Sequence, residues 1–317
     1  MRFKTFIYFI FTIALTSCET LVTEIPQSEL PSIASKLVVN SYISPQSATT
    51  IVVVTESIPL YGETTSTNKV VSNAIVKLSD GVKEITMPYD TSAKAYTITQ
   101  AVFPIKAAQT YKLTVSDATR SVNATCTVPA KLATIQSYVL DTATVRDVEG
   151  RDSALTLKMT WIDIQNDKNF YRVRAYTELE YSVLQVNTNK DMIEKRVKGR
   201  FNFDWDDNSG RSSFQNDLNL DGVLFTSPLG KATLPTSILY FTPDGNSVRA
   251  KQKVKLLSLT MELLNCDQAY YDFHRSLDLN RNSDNPFSEP SLIFTNINGG
   301  LGCFAAYNSR VVIYKPK

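Results

Sequence analysis

Alternation of apolar and polar residues is the feature that most constrains how this chain can fold. Residues 122–128 place an apolar side chain at every second position, and the alternation stops at Pro129. Residues 155–161 and 257–263 carry two further stripes of the same period. Because successive side chains of a strand point to opposite faces, this period predicts strands with one buried face. The sequence therefore predicts a mostly β fold.

The strand signals fall into two blocks, which predict two domains. About seven short alternating stretches, separated by turn residues, occupy residues 35–130. That spacing is typical of an immunoglobulin-like β-sandwich. Residues 131–317 predict a second β-rich domain.

One stretch of the second block has the spacing of a helix. Residues 266–279 place apolar side chains three and four positions apart. Asn265 or Asp267 can accept hydrogen bonds from the first turn, as capping residues do. We therefore expect one helix near the C-terminus.

The N-terminus has the pattern of an export signal. Arg2 and Lys4 precede an uncharged, mostly apolar run over residues 5–15. As a helix this run would rise only about 16 Å, roughly half of the hydrocarbon core of a bilayer. Residues 1–17 are therefore predicted to be a signal peptide rather than a membrane span.

The signal ends in Leu15-Thr16-Ser17-Cys18, which resembles the bacterial lipobox. The resemblance implies lipid transfer to the Cys18 sulfur, cleavage before Cys18, and acylation of the new amine. Two or three acyl chains hold a protein firmly to a membrane. Residues 18–34 show no sustained period and predict a lipidated N-terminus with a flexible tether. The alternative is an ordinary signal peptide in which Cys18 occurs by chance.

Charge gives no support for a nucleic-acid partner. Arg2 and Lys4 belong to the signal, so 31 of the 33 basic residues would remain against 31 acidic ones. A neutral chain lacks the positive field that attracts nucleic acid. The partner that these residues themselves suggest is a membrane, through the lipid.

Three further cysteines allow at most one disulfide in an oxidising compartment. Cys126 lies on the apolar side of an alternating strand and is predicted to be buried. Cys266 and Cys303 either pair with each other or stay free in packed positions.

Residue types that support catalysis are sparse. His274 is the only histidine, and catalytic triads and most transition-metal sites need a histidine with partners. The nucleophile-elbow and phosphate-loop motifs are missing from the sequence. The SxxK match at residues 66–69 lacks its companion motifs. We expect His274 to be structural and the protein not to be an enzyme.

Calcium is the one cofactor that the sequence suggests. Asp217, Asn219 and Asp221, followed by Gly222, match the opening of a calcium loop, although Pro228 stands where a bidentate glutamate belongs. A solvated turn is the alternative. A second acidic turn contains Asp204, Asp206, Asp207 and Asn208. A glycosidase would need facing carboxylates about 5 to 9 Å apart, and the sequence identifies no partner for this turn.

Two further groups of residues attract attention. A basic patch alternates with Asp191 and Glu194 and consists of Lys190, Lys195, Arg196, Lys198 and Arg200. It is either a solvated hairpin or a contact for lipid phosphates or an acidic partner. Of the tryptophans, Trp161 is predicted to lie in the core, and Trp205, flanked by aspartates, to be partly exposed.

The order of several segments resembles the domain-of-unknown-function 4249 family of Bacteroidota outer-membrane lipoproteins. These segments are residues 36–40 after the lipobox, residues 110–129, Asp163 with residues 170–173, the tyrosine-rich helix, and residues 285–287 leading to residues 295–307. Together they span essentially the whole mature chain.

The resemblance implies a place and a role. The place is the outer membrane, on its periplasmic or cell-surface face, and the role is that of an accessory or ligand-capturing subunit beside a TonB-dependent transporter. A free-standing surface module for glycan or peptide is the alternative, and a hydrolase is a distant third. Because the resemblance concentrates near the C-terminus, it implies an interface formed by Tyr270, Tyr271, Asn285, Pro286, Phe287, Asn296, Gly299, Gly300 and Gly302.

Overall fold

Strands make up nearly all of the regular structure. The computed structural model describes residues 34–58, 69–147, 150–186, 192–205, 212–241, 246–281 and 292–316. The single helix within these ranges is α1 (Gln268–Arg281), which begins and ends two residues later than predicted. The predicted mostly β fold with a helix near the C-terminus is confirmed. The strands are β1 (Leu37–Ile43), β2 (Thr49–Glu56), β3 (Ile75–Ser79), β4 (Glu84–Met87), β5 (Tyr89–Asp90), β6 (Ala95–Thr99), β7 (Thr110–Ser116), β8 (Ser121–Thr127), β9 (Ile135–Asp147), β10 (Gly150–Ile162), β11 (Phe170–Val186), β12 (Met192–Asn202), β13 (Asp204–Trp205), β14 (Phe214–Asn216), β15 (Leu224–Thr226), β16 (Gly230–Thr233), β17 (Ser237–Phe241), β18 (Ser247–Lys251), β19 (Lys255–Cys266) and β20 (Leu301–Tyr314).

A nine-stranded sheet forms the backbone of the molecule. Its order is β12-β11-β19-β20-β1-β2-β6-β5, and β14 pairs with β11. A four-stranded sheet has the order β4-β3-β7-β8. A five-stranded sheet has the order β13-β16-β10-β15, with β9 paired to β10, and β17 and β18 form a hairpin.

The first hydrophobic core lies between the four-stranded sheet and the β1-β2-β6 part of the nine-stranded sheet. Leu78 and Leu113 from one layer share a buried cluster with Val39 and Val52 from the other. Strand β8 shows how the sequence specifies this, because its side chains alternate without fault between exposed and buried. The predicted N-terminal β-sandwich and the buried position of Cys126 are confirmed.

The second core lies between the five-stranded sheet and the β11-β19 part of the nine-stranded sheet. Trp161 of β10 is fully buried there, as predicted. Its ring stacks on that of Phe225, with centroids 5.6 Å apart, and meets the ring of Tyr171 edge-on at 5.7 Å. Aromatic pairs of this geometry contribute about 0.5–1.5 kcal/mol each beyond their buried area.

A parallel pairing of β1 with β20 makes the sheet continuous between the two cores. Residues 38–43 pair with residues 301–306. Phe304 and Ala306 of β20 belong to the first core, whereas Val312 packs against the second. Strand β20 therefore joins the strands before residue 130 to those after it in one sheet. The sequence predicted a domain boundary at residue 130 but did not indicate that a sheet continues across it.

Glycine permits the close approach of these two strands. Gly302 has a φ of +102°, and a Cβ atom there would lie 2.2 Å from the carbonyl oxygen of Val39. A Cβ atom at Gly300 would lie 2.7 Å from the carbonyl oxygen of Leu37. A side chain at either position would force the strands apart.

Asp267 links α1 to β20. Its Oδ1 accepts a hydrogen bond from the Tyr270 amide (2.8 Å), which makes it the predicted helix cap, and its Oδ2 accepts one from the Ala306 amide (2.9 Å). Burial raises the pKa of Asp267 to about 7, although the hydrogen bonds from the two amides act to lower this pKa. Asn265, the other predicted cap, instead donates from Nδ2 to the side chain of Asn169.

Replacing Gly302 with alanine should lower the free energy of unfolding by at least about 3 kcal/mol. The positive φ alone costs about 1–3 kcal/mol, and the Cβ atom adds a clash with backbone. Gly81→Ala is the matched control, because Gly81 has a φ of +88° and open space around it. Denaturant unfolding followed by tryptophan fluorescence measures both, and equal losses would contradict the steric account.

Stability should fall as the pH rises from about 4 to about 7. In the unfolded chain Asp267 titrates near pH 3.9, so across this window the folded protein binds more protons than the unfolded one. The stabilisation that the protonated Asp267 carboxyl contributes is complete at a pH below its pKa in the unfolded chain. It is lost as the pH rises through the pKa of about 7 in the folded protein. Asp267→Asn should remove this part of the slope in chemical unfolding. An unchanged slope in the variant would assign the pH dependence to other groups.

Candidate functional site

The face of the nine-stranded sheet that points away from both cores is called the outer face here. Along β11 the odd-numbered residues from Tyr171 to Leu179 are buried in the second core. Arg172, Arg174 and Tyr176 lie on the outer face, because side chains alternate along a strand. Helix α1 covers the middle of this face through a third buried cluster, which includes Tyr270 and Phe273.

A hollow of about 410 Å³, the arginine hollow, lies on the outer face. Its charged lining residues are Arg172, Arg174, Arg200 and Glu262. The remaining lining residues are Val173, Ala175, Tyr176, Asn202, Phe203, Trp205, Ser213 and Thr260. Among the described lining residues three guanidinium groups stand against one carboxylate, and this excess of positive charge suits an anionic ligand.

Each arginine is held in place by a partner. The Arg200 guanidinium lies over the ring of Tyr176, 3.4 Å from its centroid. Arg172 lies 4.6 Å from the centroid of the Phe214 ring and donates a hydrogen bond to the hydroxyl of Tyr270. Such contacts restrict the rotamers of a long side chain, so less entropy is lost when a ligand binds.

Glu262 positions the third arginine, Arg174. Its Oε2 accepts hydrogen bonds from Nε (3.0 Å) and Nη2 (2.7 Å) of Arg174. Burial opposes the charge on Arg174, but Glu262 and the hydroxyls of Tyr270 and Tyr307 raise the pKa of the guanidinium above its ordinary value. Arg174 therefore stays positive.

A second hollow of about 370 Å³, the tyrosine hollow, adjoins the first and shares Arg172 and Arg174 with it. Ile51 is 47% exposed and Val53 is 37% exposed beside it, so part of this surface is apolar and open. Its other lining residues are Asn40, Ser41, Tyr42, Ser47, Thr49, Tyr270, His274 and Tyr307.

His274 belongs to an aromatic cluster beneath the tyrosine hollow. Its ring lies 4.4 Å from that of Tyr270, 5.1 Å from that of Tyr42, and stacks on Phe214 at 5.5 Å. Burial raises the pKa of Tyr270 to about 12, even though Arg172 acts to lower it. The contacts of this cluster give His274 a packing role.

The predicted calcium residues lie in a turn whose carboxylates bind backbone amides. Asp217 accepts a hydrogen bond from the Asn169 amide (2.9 Å), and Asp221 accepts one from the Asn166 amide (2.9 Å). Asn219 adopts a left-handed conformation with a φ of 62°. Within the ranges that the structure describes, no three His, Cys, Asp or Glu residues are grouped to hold a metal ion.

Asp163 fixes the same turn from the end of β10. It is 3% exposed, and its Oδ2 accepts a hydrogen bond from the Gly222 amide (2.8 Å). Its Oδ1 accepts one from the Tyr171 hydroxyl (2.7 Å), which in turn accepts one from the Ile164 amide (3.0 Å). The turn is therefore tied to the core of the second sandwich.

One known family matches most of the chain. The family described as Domain of unknown function (DUF4249) matches residues 19–311. The chain belongs to the DUF4249 family. No curated protein matches the sequence. A solved structure of a biofilm-associated protein B domain is similar at 7% identity with a TM-score of 0.16, over 87% of this chain and 85% of that one.

Several predicted interface residues of this DUF4249 protein make internal contacts. Tyr270 is 2% exposed, and Gly300 and Gly302 press against β1. The side chain of Asn296 bonds to both the amide and the carbonyl of Phe304. The interface itself stays a prediction.

Other predicted site residues are either more accessible or outside the described residues. Tyr271 is half-buried and accepts a hydrogen bond from Asn216, and Gly299 is exposed. The predicted site residues that lie outside the described ranges are Cys18, Lys190, Asp206, Asp207, Asn208, Asn285, Pro286 and Phe287.

The three described cysteines are free and buried. Of the two alternatives for Cys266 and Cys303, the one in which both stay free in packed positions is observed. Burial raises the pKa of both thiols, which keeps them protonated and unreactive.

Sequence reasoning identified only part of the arginine hollow. Arg200 was assigned to a basic patch, and Trp205 is partly exposed as predicted. Arg172 and Arg174 were missed, although their alternation with Val173 and Ala175 marks a strand with one charged face. Among the described residues, no helix is both long and apolar enough to cross a membrane.

Tyr171→Phe should lower the free energy of unfolding by about 2–3 kcal/mol, because it leaves the Asp163 carboxylate and the Ile164 amide short of a buried partner. Tyr176→Phe is the control on the same strand, since the Tyr176 hydroxyl forms no hydrogen bond to a described residue. Its effect should stay within about 0.5 kcal/mol. Chemical unfolding compares the two variants, and similar losses would rule out the proposed role of the buried hydroxyl.

Proposed function

We propose that this DUF4249 protein is a lipid-anchored, non-enzymatic subunit of an outer-membrane complex that captures ligand for a TonB-dependent transporter. The lipobox at residues 15–18 supports attachment through lipid. The predicted tether over residues 18–34 would let the folded part reach a partner in the same membrane. The resemblance of the family to proteins encoded beside such transporters supports the choice of partner.

The pair of hollows on the outer face carries the ligand-capturing part of the proposal. Their volumes of about 410 and 370 Å³ lie within the range of about 300–1,000 Å³ that is usual for small-molecule sites. Because Arg172 and Arg174 line both, one ligand can contact both hollows. An open site on a rigid sheet suits capture and hand-over of a ligand.

The surroundings of the ionisable groups support a non-enzymatic role. Glu262 in the arginine hollow accepts both of its hydrogen bonds from Arg174. His274 in the tyrosine hollow packs against aromatic rings. General acid–base catalysis needs a group placed to exchange a proton with the substrate, whereas Glu262 is hydrogen-bonded to Arg174 and the ring of His274 is packed among aromatic side chains.

A free-standing surface module that binds glycan or peptide is the second candidate. The arginine hollow favours it, because amide, hydroxyl and partly exposed indole side chains such as those of Asn202, Ser213 and Trp205 can bind a glycan by hydrogen bonds and ring contacts. Such a module would hold its ligand at the membrane without a transporter.

Purification of the tagged full-length protein after mild detergent extraction tests the proposal. We expect a single outer-membrane barrel protein to co-purify in a stoichiometric amount, and labelled palmitate to enter the protein. Cys18→Ala is the control and should lose both the label and the membrane-bound fraction.

Two outcomes would count against parts of the proposal. Recovery of the labelled protein without a barrel would favour the free-standing module. A Cys18→Ala protein that stayed in the membrane pellet would contradict lipid anchoring.

A further inference from the structure

Arg200 is positioned to receive a ligand. Its guanidinium lies over Tyr176, and a ring that contacts the flat face leaves the in-plane N–H donors available. Among the described residues no carboxylate forms an ion pair with Arg200. The residue is exposed, so a ligand in the hollow can reach these donors.

Arg172 and Arg174 complete a cluster that favours a planar anion. The guanidinium fork matches a carboxylate with two parallel hydrogen bonds, and such charge-assisted bonds are about twice as strong as neutral ones. Among the described lining residues Glu262 supplies the one opposing charge, and it is engaged by Arg174. Glu178, which lies opposite Arg200 across the strand pair, accepts a hydrogen bond from Ser258. A carboxylate on the ligand would balance the charge that remains.

The other lining residues indicate a ligand rich in hydroxyl groups. Asn202, Ser213 and Thr260 present short amide and hydroxyl side chains to the hollow. Trp205, which is partly exposed, adds an aromatic ring on which the apolar face of a sugar ring can pack. A sugar that carries a carboxylate matches both this lining and the arginine cluster.

The position of the hollow argues against an extended peptide. Peptides often bind by adding a strand to the edge of a sheet through main-chain hydrogen bonds. Strand β11 pairs with β19 on one side, and on the other side with β14 over residues 170–172 and with β12 over residues 176–186. Between these two ladders the Val173 amide and the Ala175 carbonyl form hydrogen bonds with Ser213 and Phe203. A gap of three residues is too short for an extended peptide to add as a strand.

We infer that the arginine hollow binds the carboxylate of an acidic saccharide, a uronate-containing glycan. This inference rests on the proposed ligand-capturing function and names the ligand class for it. Arg200 binds the carboxylate, and the polar and aromatic lining residues bind the sugar ring.

Titration of the full-length lipoprotein in detergent micelles with a galacturonate trisaccharide tests the inference. The chain has two tryptophans, and Trp161 is fully buried, so a change in tryptophan fluorescence reports on Trp205 in the hollow. We expect saturable binding, confirmed by calorimetry. A neutral galactose trisaccharide should bind at least about 10-fold more weakly, because it lacks the charge-assisted bonds.

A pair of variants separates the hollow from general charge. Arg200→Gln should weaken uronate binding by about 10- to 100-fold. Lys198→Gln removes the same charge from an exposed position on the same strand but outside the hollow, and should change affinity by less than about 2-fold. Equal thermal unfolding of both variants would show that both are folded.

Absence of uronate binding, equal binding of the neutral trisaccharide, or equal losses in the two variants would overturn the inference. A triglutamate peptide that bound as tightly as the uronate would overturn the assignment to a saccharide. Co-purification tests the proposed transporter partner independently of the ligand. If a barrel protein co-purifies but uronate does not bind, only the inferred ligand class is contradicted. If uronate binds but no barrel protein co-purifies, only the proposed transporter partner is contradicted.

Discussion

The parallel pairing of β1 with β20 is the contact on which the rest of the structure depends. Asn40 and Cys303, which are paired across it, lie 263 residues apart in the chain. The entropy of closing so long a loop grows only slowly with its length, but contacts of this kind form late in folding. The first sandwich lacks Phe304 and Ala306 until β20 arrives, so its core is completed by the C-terminal part of the chain.

The two faces of β11 show how one strand can serve both stability and the proposed ligand binding. Its odd-numbered residues fill the second core, and its even-numbered residues place arginines on the outer face. The pair of Arg174 and Glu262 is partly exposed, at 39% and 21%, and pairs of that kind contribute at most about 1 kcal/mol. The stability of the sheet therefore comes from the core side, and the outer face can carry an excess of positive charge at little cost.

How much of the fold and of the candidate site could be predicted depends on whether the sequence signal for each feature is local or involves residues far apart in the chain. The strands, the helix and the cap at Asp267 were predictable because alternation, helical spacing and capping are local properties. The pairing of β1 with β20 was not, because an alternating stripe specifies a buried face but not a neighbouring strand. Arg200 and Arg174 line one hollow only because β12 pairs with β11 in a fixed register, which places Arg200 opposite Glu178. The calcium motif matched by spacing, yet Asp217 and Asp221 bind amides supplied by a loop about 50 residues earlier.

The position of β1 has a mechanical consequence. The chain enters the described fold just before Leu37, in a strand with β2 on one side and β20 on the other. The hydrogen bonds of both ladders run across the strand direction. A pull along β1 from its N-terminal end, where the proposed lipid anchor would act, would strain many of these bonds in shear at once, whereas an edge strand would peel away bond by bond. The central position of β1 thus suits a protein that, if tethered at this end as proposed, must stay folded while it is held against flow or drawn by a moving partner.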